Sequence, residues 1–299
     1  MNMENGMVPV MMQPFHLDGS LDWDGLSELI DFYIESGATA LFATCGSTEI
    51  SHLTPEEVVD VVQKTIALAA GRVPVIAGAI RDGIAVGQQA DFVKRIADLG
   101  ADAVAITAAM MVPESADETA FLKAVGELLG LSGDIPLGIY EAPTPYHRRM
   151  PAETLGKLAQ TGRFVFHKDT SCDAAQISAK LQAVEGTLLR FFNAHSPTLL
   201  HSLCEGGAGY SGVGTNFYPE IYAELCRCFK RDPARAEAIQ AFLDAEEPLL
   251  ANDCYPQTAK MFLQSRGVNI TSRIRQDRAI TFDKAADLIV AKKLYNDFK

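Results

Sequence analysis

Lys168 ends a short apolar run, Phe164-Val165-Phe166-His167, and is followed at once by Asp169-Thr170-Ser171. A cation at the point where a buried strand gives way to a loop is costly unless something uses it. Loss of water lowers a lysine pKa, and the neutral amine can then attack a carbonyl to form a Schiff base. Tyr140 ends a second apolar run, and a phenol beside such an adduct can pass protons to and from it. Ser47 and Thr48 follow a third run, and Thr107 ends a fourth. Other roles are open to each: Lys168 can pair with Asp169 or reach out to solvent, Tyr140 can fill a core, and Ser47 and Thr48 can serve local turns.

These residues share a site only if the elements that carry them bring one end of each strand to a common mouth. Eight runs rich in Val, Ile and Phe recur along the chain: Val8 to Met12, Ala40 to Ala43, Val73 to Ala79, Ala103 to Thr107, Ile135 to Tyr140, Arg163 to Lys168, Leu188 to Asn193 and Ala208 to Gly212. Amphipathic stretches separate them. Leu26, Leu29, Ile30, Tyr33 and Ile34 fall on one helical face that stops at Gly37, and Thr54-Pro55-Glu56-Glu57 has the form of a capping box with proline at the first helical position. Ser196-Pro197 and Tyr218-Pro219 mark two further helix starts. The pattern predicts an α/β fold, a closed (β/α)8 barrel, whose active sites form at the C-terminal strand ends. An open doubly wound sheet would carry a glycine-rich loop after its first strand, where Gln13-Pro14-Phe15-His16 stands instead. Beyond the barrel, read as residues 1–222, only helical patterning remains, so residues 223–299 are expected to form a C-terminal helical extension.

Composition narrows the partners. The chain has 299 residues, 48% of them hydrophobic, enough for a large core, and its net charge of −12 disfavours nucleic acid or an anionic membrane surface. No run is long and apolar enough for a membrane span, and the N-terminus lacks the basic and apolar regions of a signal peptide. Six scattered cysteines without metal-ligand spacing suggest reduced thiols in a cytoplasmic protein, and no metal site. A small-molecule ligand is the expected partner.

Three segments carry a resemblance to the dihydrodipicolinate synthase and N-acetylneuraminate lyase family of Schiff-base enzymes. Cys45-Gly46-Ser47-Thr48-Glu49 resembles the family's Gly-Thr-Thr-Gly-Glu or Gly-Ser-Thr-Gly-Glu motif, Ile139-Tyr140-Glu141-Ala142-Pro143 its Tyr-Asn-x-Pro segment, and Phe166-His167-Lys168-Asp169-Thr170-Ser171 its Lys-Asp/Glu-Ser/Thr segment. Their order on the second, fifth and sixth strands strengthens the match, which runs from Pro14 to Pro219. The resemblance implies that Lys168 is the Schiff-base lysine and Tyr140 the acid/base phenol. It implies that Ser47, with the amides around Thr48, holds a substrate carboxylate, and it aligns Gly207, Tyr210 and Ser211 with a substrate-side loop. It also implies a homo-oligomer, commonly a tetramer, and chemistry without a cofactor.

The chain departs from the lysine-pathway members at three places. Gly46 stands where they place a threonine that joins a hydroxyl relay, the segment after the fourth strand lacks a tyrosine, and Pro145 replaces an arginine that grips a carboxylate, a task open to Arg148 or Arg149 from the same loop. Gly46 before Ser47, after Leu41-Phe42-Ala43, looks more like the sugar-acid dehydratases and aldolases. The favoured expectation is a lyase acting on a 2-oxo acid such as pyruvate or a 2-keto-3-deoxy sugar acid. Condensation of pyruvate with an aldehyde is the second expectation, and a non-catalytic 2-oxo acid binding barrel the third. Glu141, His52, His147 and His167 are further ionisable residues near the strand ends.

Overall fold

The computed structural model describes residues 3–79, 81, 83–250, 253–276 and 282–299. Eight parallel strands form one sheet: β1 (Gly6–Met7), β2 (Leu41–Phe42), β3 (Val75–Gly78), β4 (Ala103–Thr107), β5 (Leu137–Tyr140), β6 (Phe164–Asp169), β7 (Arg190–Asn193) and β8 (Gly209–Tyr210). Each pairs with the next from β2 to β8, and β8 returns to β1. Parallel bridges Met7 to Ala38 and Val10 to Phe42 close the seam, so the sheet is the expected barrel. The helices are α1 (Trp23–Glu35), α2 (Pro55–Ala69), α3 (Val86–Ala97), α4 (Glu118–Leu131), α5 (Ala152–Gln160), α6 (Ala174–Val184), α7 (Leu199–Cys204) and α8 (Pro219–Cys228), followed by α9 (Pro233–Leu250), α10 (Gln257–Ser265) and α11 (Phe282–Phe298).

Local chemistry explains the boundaries. The capping box at α2 is present, with Thr54 Oγ1 accepting from Glu57 N at 3.1 Å and Glu57 Oε2 accepting from Thr54 N at 2.9 Å. The first strand starts two residues before the apolar run at Val8. That run stays extended but changes partner across the seam: Val8 N donates to Tyr210 O at 2.9 Å, and Met11 N to Phe42 O at 3.0 Å. Glycine is required where β1 and β8 touch, because a Cβ on Gly209 would lie 1.7 Å from Gly6 O.

Alternation along the strands sorts two layers. Phe42, Tyr140, Phe166 and Phe192 point into the barrel and form one buried cluster with Val8, Val10 and Ile76. The outward residues pack beneath the helices, and α9 to α11 add to the same core: Met7, Leu26 and Tyr218 belong to one cluster with Phe262, Leu263 and Tyr295. Residue 222, where the barrel segment was read to end, lies inside α8.

Candidate active site

β5 and β6 are paired so that Tyr140 faces Lys168 across the ladder, which places the lysine Nζ 4.1 Å from the centre of the phenol ring. Beneath them lies a floor of aromatic rings: Phe42 meets Tyr140 edge-on at 6.0 Å and Phe166 at 5.4 Å, and Phe166 meets Phe192 at 5.2 Å. Desolvation over this floor lowers the Lys168 pKa to about 8, against a small opposing pull from the Cys45 thiol. Burial moves the Tyr140 phenol the other way, well above its ordinary value, so at neutral pH it keeps its proton. A nucleophilic amine beside a protonated phenol suits carbonyl addition followed by proton donation.

A cavity of about 730 Å³ opens above this pair, lined by Gly46, Ser47, Thr107, Tyr140 and Lys168 from the strand ends, by Arg81, Phe92 and His52, and by Tyr255 and Gln276 from the C-terminal region. Ser47 sits on a short 3-10 turn, Gly46–Thr48, and its hydroxyl has a fixed polarity. Asn216 Nδ2 donates to Val10 O at 2.8 Å and to the Tyr255 hydroxyl at 2.5 Å, while its Oδ1 accepts from the Tyr33 hydroxyl. Tyr255 must therefore spend its own proton on Ser47 Oγ, 2.6 Å away. Ser47, already an acceptor there, is left with a hydrogen to give to something else, as a carboxylate-binding group requires.

The C-terminal region reaches the mouth through Glu49. This buried residue adopts a left-handed conformation at φ 60°, and its carboxylate accepts from Lys260 Nζ at 3.2 Å, Arg275 N at 2.7 Å and Gln276 N at 3.0 Å. Lys260 and Arg275 also lie over the Phe15 ring, 4.6 and 4.7 Å from its centre. Burial, only partly offset by Glu49, lowers the Lys260 pKa to about 8.

The carboxylates next to the two central residues face the opposite way. Glu141 and Asp169 point outward toward α6, where Lys180 Nζ lies 2.6 Å from an oxygen of each. Burial opposes ionisation of Asp169, but the neighbouring His167 and the Lys180 ammonium outweigh it and hold the carboxyl below its usual range. Glu141, His167 and Asp169 could together offer donor atoms to a metal within 4.8 Å of one another. Lys180 already supplies the positive charge there, so the cluster reads as an ion-paired support for the strand ends.

The structure thus brings Lys168, Tyr140 and Ser47 together, and it places the other expected site residues differently. Thr48 turns its hydroxyl to Met11 O and Ala43 O, at 2.7 and 2.6 Å, and its N–H donates to Cys45 O at 3.2 Å, so it shapes the turn. Tyr210 faces the helical layer, where it stacks on Tyr222 at 4.0 Å and shares Ser196 with it. Gly207 packs against Ser202, whose Oγ would lie 2.5 Å from an added Cβ. Ser211 is buried and its hydroxyl has no partner among the described residues. Neither Gly207, Tyr210 nor Ser211 lines the cavity. Arg148 is committed elsewhere: it pairs with Glu118 at 2.5 Å and lies 4.8 Å from the centre of the Phe121 ring. Tyr255, Asn216 and Arg81 carry no motif in the sequence; only the fold brings them to the mouth.

Known proteins share this arrangement of chain. The 4-hydroxy-tetrahydrodipicolinate synthase of Shewanella piezotolerans (strain WP3) is 28% identical over 225 residues, 75% of this chain and 74% of that protein. The enzyme of the same name from Nitrosococcus oceani is 28% identical over 294 residues, 96% of each. Among solved structures, YagE of E. coli K12, a prophage protein of the dihydrodipicolinic acid synthase family in complex with pyruvate, superposes with a TM-score of 0.88 over 97% of this chain and 98% of its own at 20% identity. Residues 3–285 match the Dihydrodipicolinate synthetase family, and the chain belongs to that family.

Proposed function

We propose that the protein is a lyase that forms an imine between Lys168 and the ketone of a 2-oxo acid. The observation that carries this is the buried amine with its pKa lowered to about 8, 4.1 Å from the Tyr140 ring in a cavity that also holds the Ser47 hydroxyl. The substrate carboxylate accepts the Ser47 hydrogen, which orients the ketone toward Lys168. The neutral amine adds to the carbonyl carbon, the oxygen leaves as water, and the protonated imine withdraws electrons from the adjacent carbon. A carbon–carbon bond or a β-hydroxyl can then break. Tyr140, protonated at neutral pH, gives its proton to the carbonyl oxygen that leaves as water; the phenolate then takes the β-hydroxyl proton as the carbon–carbon bond breaks or, in dehydration, takes the proton of the carbon next to the imine and passes it to the departing β-hydroxyl.

Cleavage or dehydration is favoured over condensation with an aldehyde. Gly46 offers no hydroxyl to Tyr140: the nearest atom to a Cβ built there is the Tyr140 hydroxyl oxygen, at 3.8 Å. A homo-oligomer in the cytoplasm completes the proposal; the resemblance supports the first, and six cysteines scattered through the sequence without metal-ligand spacing support the second. Light scattering at micromolar concentration tests the assembly.

Incubation with pyruvate and borohydride should add one reduced pyruvyl group to the peptide containing Lys168 in the native chain and none in Lys168→Ala. An unmodified peptide at millimolar pyruvate would overturn the proposal. Tyr140→Phe should still form the adduct but lose roughly 10²- to 10⁴-fold in turnover of a cleavable 2-oxo acid, the range for loss of a general acid.

A further inference from the structure

The cavity is positive in a chain that is strongly negative. Its described lining includes Lys168 and Arg81 and no carboxylate, although the protein as a whole carries a net charge of −12. A substrate with one carboxylate, held by Ser47 beside Lys168, leaves Arg81 unanswered. Arg81 follows β3, is half-buried, and has its guanidinium 5.4 Å from the centre of the Phe92 ring, with no carboxylate partner among the described residues. A guanidinium partly removed from water over a ring face, with no carboxylate beside it among the described residues, is a seat for a planar anion.

A second polar group lies between the two cations. Thr107, at the end of β4, is 2% exposed, lines the cavity, and its hydroxyl has no hydrogen-bond partner among the described residues. The sheet order runs β6, β5, β4, β3, so the mouth presents in sequence Lys168, Tyr140, Thr107 and Arg81. Two strand steps from Tyr140 to the end of β3 are about 10 Å. A chain of five or six carbons and the arginine side chain together cover that distance.

Building on the imine reading above, we propose that the substrate is a dianion. It is a 2-oxo acid whose far end carries a second carboxylate gripped by Arg81, with a hydroxyl on an intermediate carbon facing Thr107. Arg81 is then a specificity-determining residue, and the arginine of the lysine-pathway members, absent at Pro145, is replaced from the loop after β3, two strands away.

The test compares length-matched pairs: 2-oxoglutarate against 2-oxopentanoate and 2-oxoadipate against 2-oxohexanoate. Half-saturation of borohydride-trapped adduct at Lys168 is measured in the native chain, Arg81→Gln and Arg81→Lys. The readout is the ratio within each pair, which is insensitive to any loss of correctly folded protein. The native chain should bind at least one diacid tenfold or more tighter than its monoacid. Arg81→Gln should abolish that preference, and Arg81→Lys, which keeps the charge but not the fork, should retain part of it. Equal ratios in the native chain and Arg81→Gln would overturn the inference and leave the imine reading standing. Absence of any adduct in the native chain, with pyruvate included, would overturn both.

Discussion

The environment of Lys168 depends on which way its neighbours point. Asp169 and Glu141 are adjacent in sequence to the two central residues, yet strand alternation turns both to the outer face, where Lys180 meets them at 2.6 Å. Neither carboxylate figures in the lowering of the Lys168 pKa; burial dominates it. With that pKa at about 8, roughly one amine in ten is neutral at pH 7, against roughly one in three thousand at the ordinary value. The lowered value fixes the sign of the pH response. Adduct formation with pyruvate at saturating borohydride should rise about tenfold per pH unit below pH 7 and level off above about pH 8. A profile still climbing at pH 10 would show an amine that is not desolvated. Lys168, Tyr140 and Ser47 were legible in the sequence because each sits at a strand end, where this fold collects its chemistry. Tyr255 and Arg81 were not, since they lie in connecting segments whose paths no hydrophobic period records. The side taken by Tyr210 was not legible for a related reason: in a two-residue strand, motif alignment says nothing about which face a side chain takes.

At the scale of elements, the mouth depends on a contact between distant parts of the chain. The turn after β2 ends in Glu49, whose carboxylate holds Lys260 on α10 and the amides of Arg275 and Gln276. Glu49→Ala would strand a buried ammonium, a loss of about 3–5 kcal/mol. Because the Lys260 pKa already sits at about 8 and would fall further without its partner, the loss should be largest at low pH and shrink as the pH rises past 8 and the amine sheds its proton. Urea unfolding of the variant at pH 6 and pH 9 measures the difference. Elements with long apolar runs, such as β4, were legible to the residue. β1 and β2 were blurred because barrel closure exchanges partners across the seam within a few residues, and apolar character is the same on either side of the exchange.

At the scale of the molecule, barrel and helical extension share one core. Phe262 and Tyr295 pack with Tyr218 and with Leu26 of α1, and the sole tryptophan, Trp23, packs against the same cluster. Heating should therefore give one transition, with coincident midpoints for tryptophan fluorescence and far-ultraviolet circular dichroism. Separate midpoints would mean that the helices melt away from the barrel. The extension was legible as helical from its periodicity. Its share in the site was not, because the Tyr255 hydroxyl meets Ser47 only after some two hundred residues of intervening chain have folded.

Gly46 has a consequence for how such an enzyme can change. A Cβ there meets only the Tyr140 hydroxyl oxygen, at 3.8 Å, and the residue is not among those with a positive φ. A serine or threonine would fit without strain and bring a hydroxyl to the Tyr140 phenol. On the imine reading proposed above, the chain is one substitution away from different proton traffic, which makes position 46 a place where descendants can trade one reaction for another while keeping every other side chain of the site.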